Sequence, residues 1–256
     1  MQEWLRMDET SKAEFAKAFY NRQTLLKELG VAGQEKLSKA RVAVVGVGGL
    51  GSVSSLYLAL AGVGYIRVID QDTVETHNLH RQILYTPDDL HQPKAEVAAK
   101  KLQKQNPLVT VEAVSKKVTE GNVESLLGSV DCVVDGLDNR LTRYIVNRAC
   151  VELRVPYVFG AAIGLEGNLS VFSPPETGCL ECLMPQNSGT DQPCSKFGII
   201  GATSGIMGSL QAMETIKLLT GIGKTLKGKL LVCDFRDIDF TAIPILKNPH
   251  CPVCRI

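Results

Sequence analysis

The feature that constrains this chain most is a glycine turn between an apolar run and a helix. Arg41 to Val45 (RVAVV) reads as a buried strand, Gly46-Val47-Gly48-Gly49-Leu50-Gly51 follows, and Ser52 to Ala61 reads as a helix. This is G-x-G-x-x-G in the strand-turn-helix context that gives the motif meaning. Glycine allows the tight turn and lets phosphate approach the backbone, while the helix start offers free N–H groups and partial positive charge. Tyr65 to Ile69 reads as the next strand and ends at Asp70, 19 residues past Gly51. A carboxylate there can accept both hydroxyls of a ribose. The turn thus reads as a site for a nucleotide with a ribose and does not choose among NAD, FAD and ATP. A plain turn packing helix on strand is the bland alternative.

The rest of the chain extends the alternation. Pro93 to Asn106 and Leu141 to Arg154 read as helices, with a shorter one at Asn122 to Leu127. Val109 to Ala113, Cys132 to Val134 and Tyr157 to Ala161 read as strands. This predicts an α/β, doubly wound, Rossmann-like and mostly parallel sheet covered on both faces. Beyond Gly167, Asn168 to Phe172 and Leu230 to Asp234 read as strands that need not be parallel, with a long apolar helix from Ser204 to Leu219 between them. Residues 9 to 39 read as two or three short helices, and Thr177 to Phe197 as a long loop.

Composition excludes other classes. At 45% hydrophobic residues over 256 positions, there is ample material for a core. With Lys+Arg 28 against Asp+Glu 27, the net charge of +1 gives no general pull on nucleic acid or anionic membrane. No run of about 18 apolar residues suggests a membrane span. The charged N-terminus lacks the apolar core of a secretory signal. The expectation is a cytoplasmic protein with reduced cysteines.

The charged residues after Asp70 do not suit a hydride-transfer site. Asp72 to Gln82 is polar and contains Asn78, Arg81 and Gln82; Lys94 follows in Gln92-Pro93-Lys94, and Asp138 lies just past the fourth strand. A triphosphate needs cations and a metal-holding carboxylate near the strand ends. Taken singly, Arg81 and Lys94 could be solvated surface charges, and Asp138 could cap the helix that follows it.

Eight cysteines divide by context. Cys179-x-x-Cys182 and Cys251-x-x-Cys254 are two pairs separated by 68 residues, and four thiolates suit a structural tetrahedral Zn²⁺. Redox dithiols are the alternative, disfavoured because neither pair follows a strand in a thioredoxin-like unit. Cys132, Cys150 and Cys233 lie in apolar segments and read as core. Cys194 stands in the polar loop, where Lys196 would lower its pKa.

In order from residue 20 to 254, the chain resembles the ThiF/MoeB/HesA adenylyltransferases, relatives of ubiquitin-activating enzymes. The matching pieces are Tyr20-Asn21-Arg22-Gln23, the Gly46–Gly51 turn, Asp70, Asn78-Leu79-x-Arg81-Gln82 and Gln92-Pro93-Lys94. They continue with Asp138-Asn139-x-x-x-Arg143, the two cysteine pairs and Gly198-Ile199-Ile200-Gly201. The resemblance implies a single adenylation domain over 1–256. Its parts would be N-terminal helices (1–40), a nucleotide-binding half (41–165) and a half that binds a ubiquitin-like protein and carries the zinc (166–256). It implies ATP and Mg²⁺, with Gly46, Gly48, Gly49, Gly51, Asp70, Asp72, Asn78, Arg81, Gln82, Lys94 and Asp138 around the nucleotide, and Asp138 on the Mg²⁺. Arg22, reaching into the site of a neighbouring protomer, would join Arg81 and Lys94 in catalysis, which makes the expected protein a homodimer. Cys194 would take the activated acyl group or join it through a persulfide. The implied partner is a ubiquitin-like protein ending in Gly-Gly, with a separate sulfur donor or conjugating enzyme. Nucleic acid and membrane are not expected partners. The alternatives are a tRNA-modifying dehydratase of the same superfamily, an NAD-dependent oxidoreductase and an inactive partner subunit.

Overall fold

Two turns that touch through glycine hold this fold at its centre, and the chain reaches them after three short helices. A computed structural model describes residues 7–173, 175–186 and 198–255. Helix α1 (Glu9–Phe19) is capped by Asp8, whose Oδ1 accepts from the Ser11 N–H at 2.7 Å. Helix α2 (Asn21–Thr24) and α3 (Gly30–Lys39) follow. Strand β1 (Arg41–Val45) leads through the glycine turn into α4 (Gly49–Ala61). Gly62, at φ 88°, ends α4 in the left-handed conformation that favours glycine. Gln23 and Gln34 both donate to the Ala61 carbonyl, at 2.8 and 3.0 Å, which fastens the N-terminal helices to the far end of α4.

Strand β2 (Tyr65–Ile69), helix α5 (Lys94–Gln105) and strand β3 (Thr110–Val114) run outward to one side. Helix α6 (Val123–Leu127), strand β4 (Cys132–Asp135), helix α7 (Arg140–Leu153) and strand β5 (Tyr157–Ile163) build the other side. Strand β6 (Glu166–Phe172), helix α8 (Leu180–Leu183), helix α9 (Gly201–Thr220) and strands β7 (Lys229–Asp234) and β8 (Asp239–Pro244) complete the described chain. The eight-stranded sheet has the order β3-β2-β1-β4-β5-β6-β7-β8. β1 to β5 pair in parallel, as expected; β6 and β7 pair antiparallel, and β7 pairs antiparallel with β8, a strand the sequence reading did not include.

Burial on both faces explains the continuous apolar runs. Val42, Val44, Val68 and Val134 face α4, α5 and α9, while Ala43, Val45, Val133 and Phe159 face α6 and α7. The chain departs from β1 toward β2 and later returns to β4 on the opposite side, so a crevice opens at the β1/β4 ends.

At that crevice Gly46 adopts φ 86°, and its carbonyl oxygen lies against Gly51 and Gly136. A Cβ on Gly51 would fall 1.9 Å from that oxygen, and one on Gly136 2.0 Å from it. Gly51 is therefore a packing glycine, and Gly136 has the same duty from the β4 side.

Element limits differ from expectation mainly at helix starts. α4 begins at Gly49 because Gly48, with ψ −140°, is the non-helical cap. β8 carried no sequence signal, since all six of its residues are exposed on a sheet edge and none alternates into a core. Among the described residues no helix is long and apolar enough to cross a membrane.

The glycine contact predicts that Gly136→Ala lowers stability by more than the ~1–3 kcal/mol typical of overpacking. Gly205→Ala on α9, whose Cβ meets nothing within 4 Å, should gain about 0.5–1 kcal/mol. Urea unfolding checks both, and equal midpoints for the two variants would contradict the close approach.

Candidate functional site

The crevice at the β1/β4 ends opens into a cleft of about 920 Å³. Its floor is the glycine turn. The first intrahelical bond of α4 runs from the Ser52 N–H to the Gly48 carbonyl at 3.0 Å, so the amides of Gly49, Leu50 and Gly51 have no helical acceptor. With no side-chain cap on Gly48, the positive end of α4 faces the cleft. Gly46, Gly48 and Gly49 line it; Gly51 lies behind.

Asp70 stands at the end of β2. Its Oδ2 accepts from the Val47 N–H at 2.9 Å and its Oδ1 from the Asp72 N–H at 2.8 Å. These bonds hold the carboxylate beside the glycine turn. Burial pushes the Asp70 carboxyl above its ordinary range, against the pull of those amides and of Lys94. Lys94, only 6% exposed, is the first residue of α5, and its Nζ lies 3.3 Å from Asp72 Oδ2. A buried ammonium whose carboxylate partner is itself half in solvent keeps donors for a ligand.

Asn78, Arg81 and Gln82 come from a short 3₁₀ turn (Thr76–Asn78) and the residues after it. Asn78 Oδ1 accepts from the Glu75 N–H at 3.2 Å, which leaves its amide NH₂ as the end it can offer. The Arg81 guanidinium bonds to the His77 carbonyl at 2.6 Å and to His80 Nε2 at 2.8 Å. Gln82 is buried beside Gly48, and its Oε1 has no partner among the described residues.

Asp138 lies exposed on the opposite wall. The cap of α7 is Asn139, whose Oδ1 accepts from the Thr142 N–H at 2.9 Å, so Asp138 is not spent on capping. Behind it lies a buried network. Asp135 Oδ2 accepts from Arg143 Nε at 3.0 Å and from the Tyr157 hydroxyl at 2.8 Å, and Oδ1 accepts from the Leu137 N–H at 2.8 Å. Arg143 Nη2 donates to the carbonyls of Leu137 at 2.6 Å and Gly160 at 2.9 Å. Burial pushes the Asp135 carboxyl up, and Arg143 leads the interactions that oppose it.

The four cysteines of the two pairs converge, with all sulfurs within 4.8 Å of one another. Cys179 and Cys251 are 3.7 Å apart, and Cys182 and Cys254 3.4 Å. Tetrahedral metal–thiolate bonds of about 2.3 Å put sulfurs roughly 3.8 Å apart, so the set fits one metal ion. The surroundings supply donors. The Asn248 N–H reaches Cys182 Sγ at 3.4 Å. Burial acts to raise the Cys251 thiol, but the amides of Cys254 and Val253, together with the neighbouring Cys254 and Cys179 sulfurs, bring it below its ordinary value. Asn147 on α7 accepts from the Leu180 N–H at 2.9 Å, and its amide acts to lower the Cys179 thiol, which burial pushes up to about 11.

The ThiF family model matches residues 20–253. The chain belongs to the ThiF family. The sulfur carrier protein adenylyltransferase of Thermus thermophilus is 46% identical over 242 residues, 92% of this chain and 89% of that protein. The sulfur carrier protein ThiS adenylyltransferase of Escherichia coli is 39% identical, over 92% of this chain and 94% of that protein. Among solved structures, E. coli MccB with MccA-N7isoASN superposes with a TM-score of 0.83 at 26% identity, over 93% of this chain and 74% of that one. This ThiF-family chain is an adenylyltransferase, and the reading as an oxidoreductase falls with that assignment.

Most residues expected around the nucleotide share this cleft. Gly46, Gly48, Gly49, Asp70, Asp72, Asn78, Arg81, Gln82, Lys94 and Asp138 all line it. Arg22 does not. It is exposed on α2, whose neighbour Gln23 is fastened at Ala61, about 18 Å along α4 from Gly49. Cys194 lies outside the described residues. Cys132, Cys150 and Cys233 are buried, as expected. Missed were Lys116 and Lys117 at the β3 end, Ser204 on α9, and the Asp135–Arg143–Tyr157 network. The DNxxxR pattern held the signal for Arg143; the others had none.

Purified protein should carry about one tightly held metal ion per chain. Cys179→Ser and Cys254→Ser should each lose it and lower the melting temperature. Metal analysis and thermal unfolding check this, and a fully stable, metal-free wild type would contradict it.

Proposed function

We propose that the chain adenylates the C-terminal glycine of a small ubiquitin-like sulfur-carrier protein, using ATP. The observation that carries this is one cleft that brings together an open helix end, a ribose-suited carboxylate, a buried lysine and an uncapped aspartate. The names of relatives at 46% and 39% identity supply the substrate class. Those names also favour the sulfur carrier over the tRNA-dehydratase alternative, as does the net charge of +1.

Asp70 accepts from the ribose hydroxyls. The amides of the Gly46–Gly51 turn, Asn78, Arg81, Gln82 and Lys94 hold the phosphates, with Asp72 orienting Lys94. Asp138 would hold the Mg²⁺ that accompanies ATP and helps neutralise its phosphates; its exposed carboxylate on the cleft wall fits that role. Arg22 completes the site of a second copy, which makes the working protein a homodimer. The four cysteines would hold a structural Zn²⁺, pinning residues 251–254 to the body of a single domain. The nucleotide half is 41–165, and the carrier-binding half 166–256.

The tail carboxylate attacks the α-phosphorus. A new acyl–phosphate bond forms, the bond to pyrophosphate breaks, and pyrophosphate leaves with that electron pair. A carboxylate is already ionised at neutral pH, so no general base is required. Positioning and charge neutralisation carry the rate. A sulfur nucleophile of a donor or conjugating enzyme, or the Cys194 thiolate, then attacks the acyl carbon; the acyl–phosphate bond breaks and AMP leaves with that electron pair. The setting is the cytoplasm.

ATP–pyrophosphate exchange should appear only with a protein ending in Gly-Gly. Asp138→Ala should cut it by about 10²–10³, while Cys194→Ala leaves it intact. Exchange without the carrier would overturn the substrate, and loss in Cys194→Ala would overturn the division of labour.

Asp70 gives a pH test. Because its carboxyl titrates above the ordinary range, it takes a proton earlier as pH falls and stops accepting from ribose. ATP affinity should fall on acidification, with its midpoint above the ordinary carboxylate range, and Asp70→Asn should bind weakly at every pH with this acid limb removed. Calorimetric titration across pH measures it.

A further inference from the structure

Helices α4 and α9 meet at their N-terminal ends, over the cleft. A Cβ on Gly208 would lie 2.6 Å from the Leu50 carbonyl oxygen, and one on Gly201 2.5 Å from the His80 carbonyl oxygen. The first turn of α9 is pinned by the Thr203 hydroxyl, which donates to the Gly164 carbonyl at 3.0 Å. Both helices start without a side-chain cap.

Ser204 sits at this junction. Its Oγ would be 3.0 Å from a Cβ on Gly49, and the Arg81 side chain borders the same spot. Ser204 is 0% exposed and lines the cleft. Its hydroxyl has no hydrogen-bond partner among the described residues. The other serines and threonines of the two helices behave differently. Ser52, Ser54 and Ser55 of α4 donate to carbonyls of their own helix at 3.3–3.4 Å. Ser209, Thr215 and Thr220 of α9 do the same at 2.7–2.8 Å. A buried hydroxyl that makes no such bond costs stability, and a protein retains one where a ligand supplies the acceptor.

We infer that Ser204 is a phosphate-binding residue whose Oγ–H donates to a phosphate oxygen of the nucleotide seated over Gly49. Two converging helix ends and Arg81 make that spot anionic in preference. The orphaned hydroxyl adds a donor beside Gly49. The inference rests on the ATP reading given above and adds a contact to it. The hydroxyl binds and moves no proton.

The test compares wild type with Ser204→Ala, reading ATP affinity by calorimetry, adenosine binding by thermal shift, and urea stability of the nucleotide-free protein. Ser204→Ala should bind ATP about 10- to 100-fold more weakly. It should bind adenosine as wild type does, and be at least as stable when empty. Unchanged ATP affinity, an equal loss with adenosine, or a less stable empty protein would each overturn the assignment, the last because the hydroxyl would then have a protein partner. Failure of wild type itself to bind ATP would overturn the functional reading and this assignment with it. Wild-type binding beside an unimpaired Ser204→Ala overturns the assignment alone.

Discussion

The carbonyl oxygen of Gly46 is the point on which the structure turns. Gly51 presses on it from α4 and Gly136 from the end of β4, at separations that leave no room for a side chain at either position. That contact lets the turn after β1 and the turn after β4 share one line of backbone. The topological crevice then becomes a narrow floor instead of a loose gap. With both turns thus close, the open end of α4 and the loop bearing Asp138 face each other across the cleft.

The second turn is stiffened from beneath. Asp135 and Arg143 form a buried ion pair, and its further bonds include the Leu137 N–H and carbonyl, the Gly160 carbonyl and the Tyr157 hydroxyl. A buried pair earns little net stability against an apolar replacement, because removing two charges from water costs several kcal/mol. Its value here is geometric. Gln211 adds a bond from α9 to the Asp135 carbonyl at 2.7 Å, so the loop is held from the neighbouring strand and from the helix above.

What the sequence disclosed and what it withheld divide along one physical line. Gly46, Asp70 and Lys94 were legible because strand ends and helix starts carry local signals, and the parallel topology forces those ends to one side. The cysteine pairs were legible because thiols at that spacing have few other uses. Gly136 was not, since its need for no side chain arises only where two distant turns touch. Ser204 was not, because it sits in the apolar pattern of a packed helix and its lack of an acceptor is a property of the folded neighbourhood. β8 left no trace because an edge strand without buried residues has no alternation to read. Tyr157 looked like ordinary core, and only the Asp135 carboxylate beneath its hydroxyl gives it another duty.

The sulfur cluster bears on that silent strand. With Cys179 packed to Cys251 and Cys182 to Cys254, a metal ion on the four sulfurs would turn the stretch between the pairs into a closed circuit containing α9, β7 and β8. A chain joined at both ends has fewer shapes open to it than a free one. β8 buries no side chain, and beyond its ladder to β7 it is restrained by where its two flanks must return. Its persistence is therefore a matter of tethering more than of adhesion.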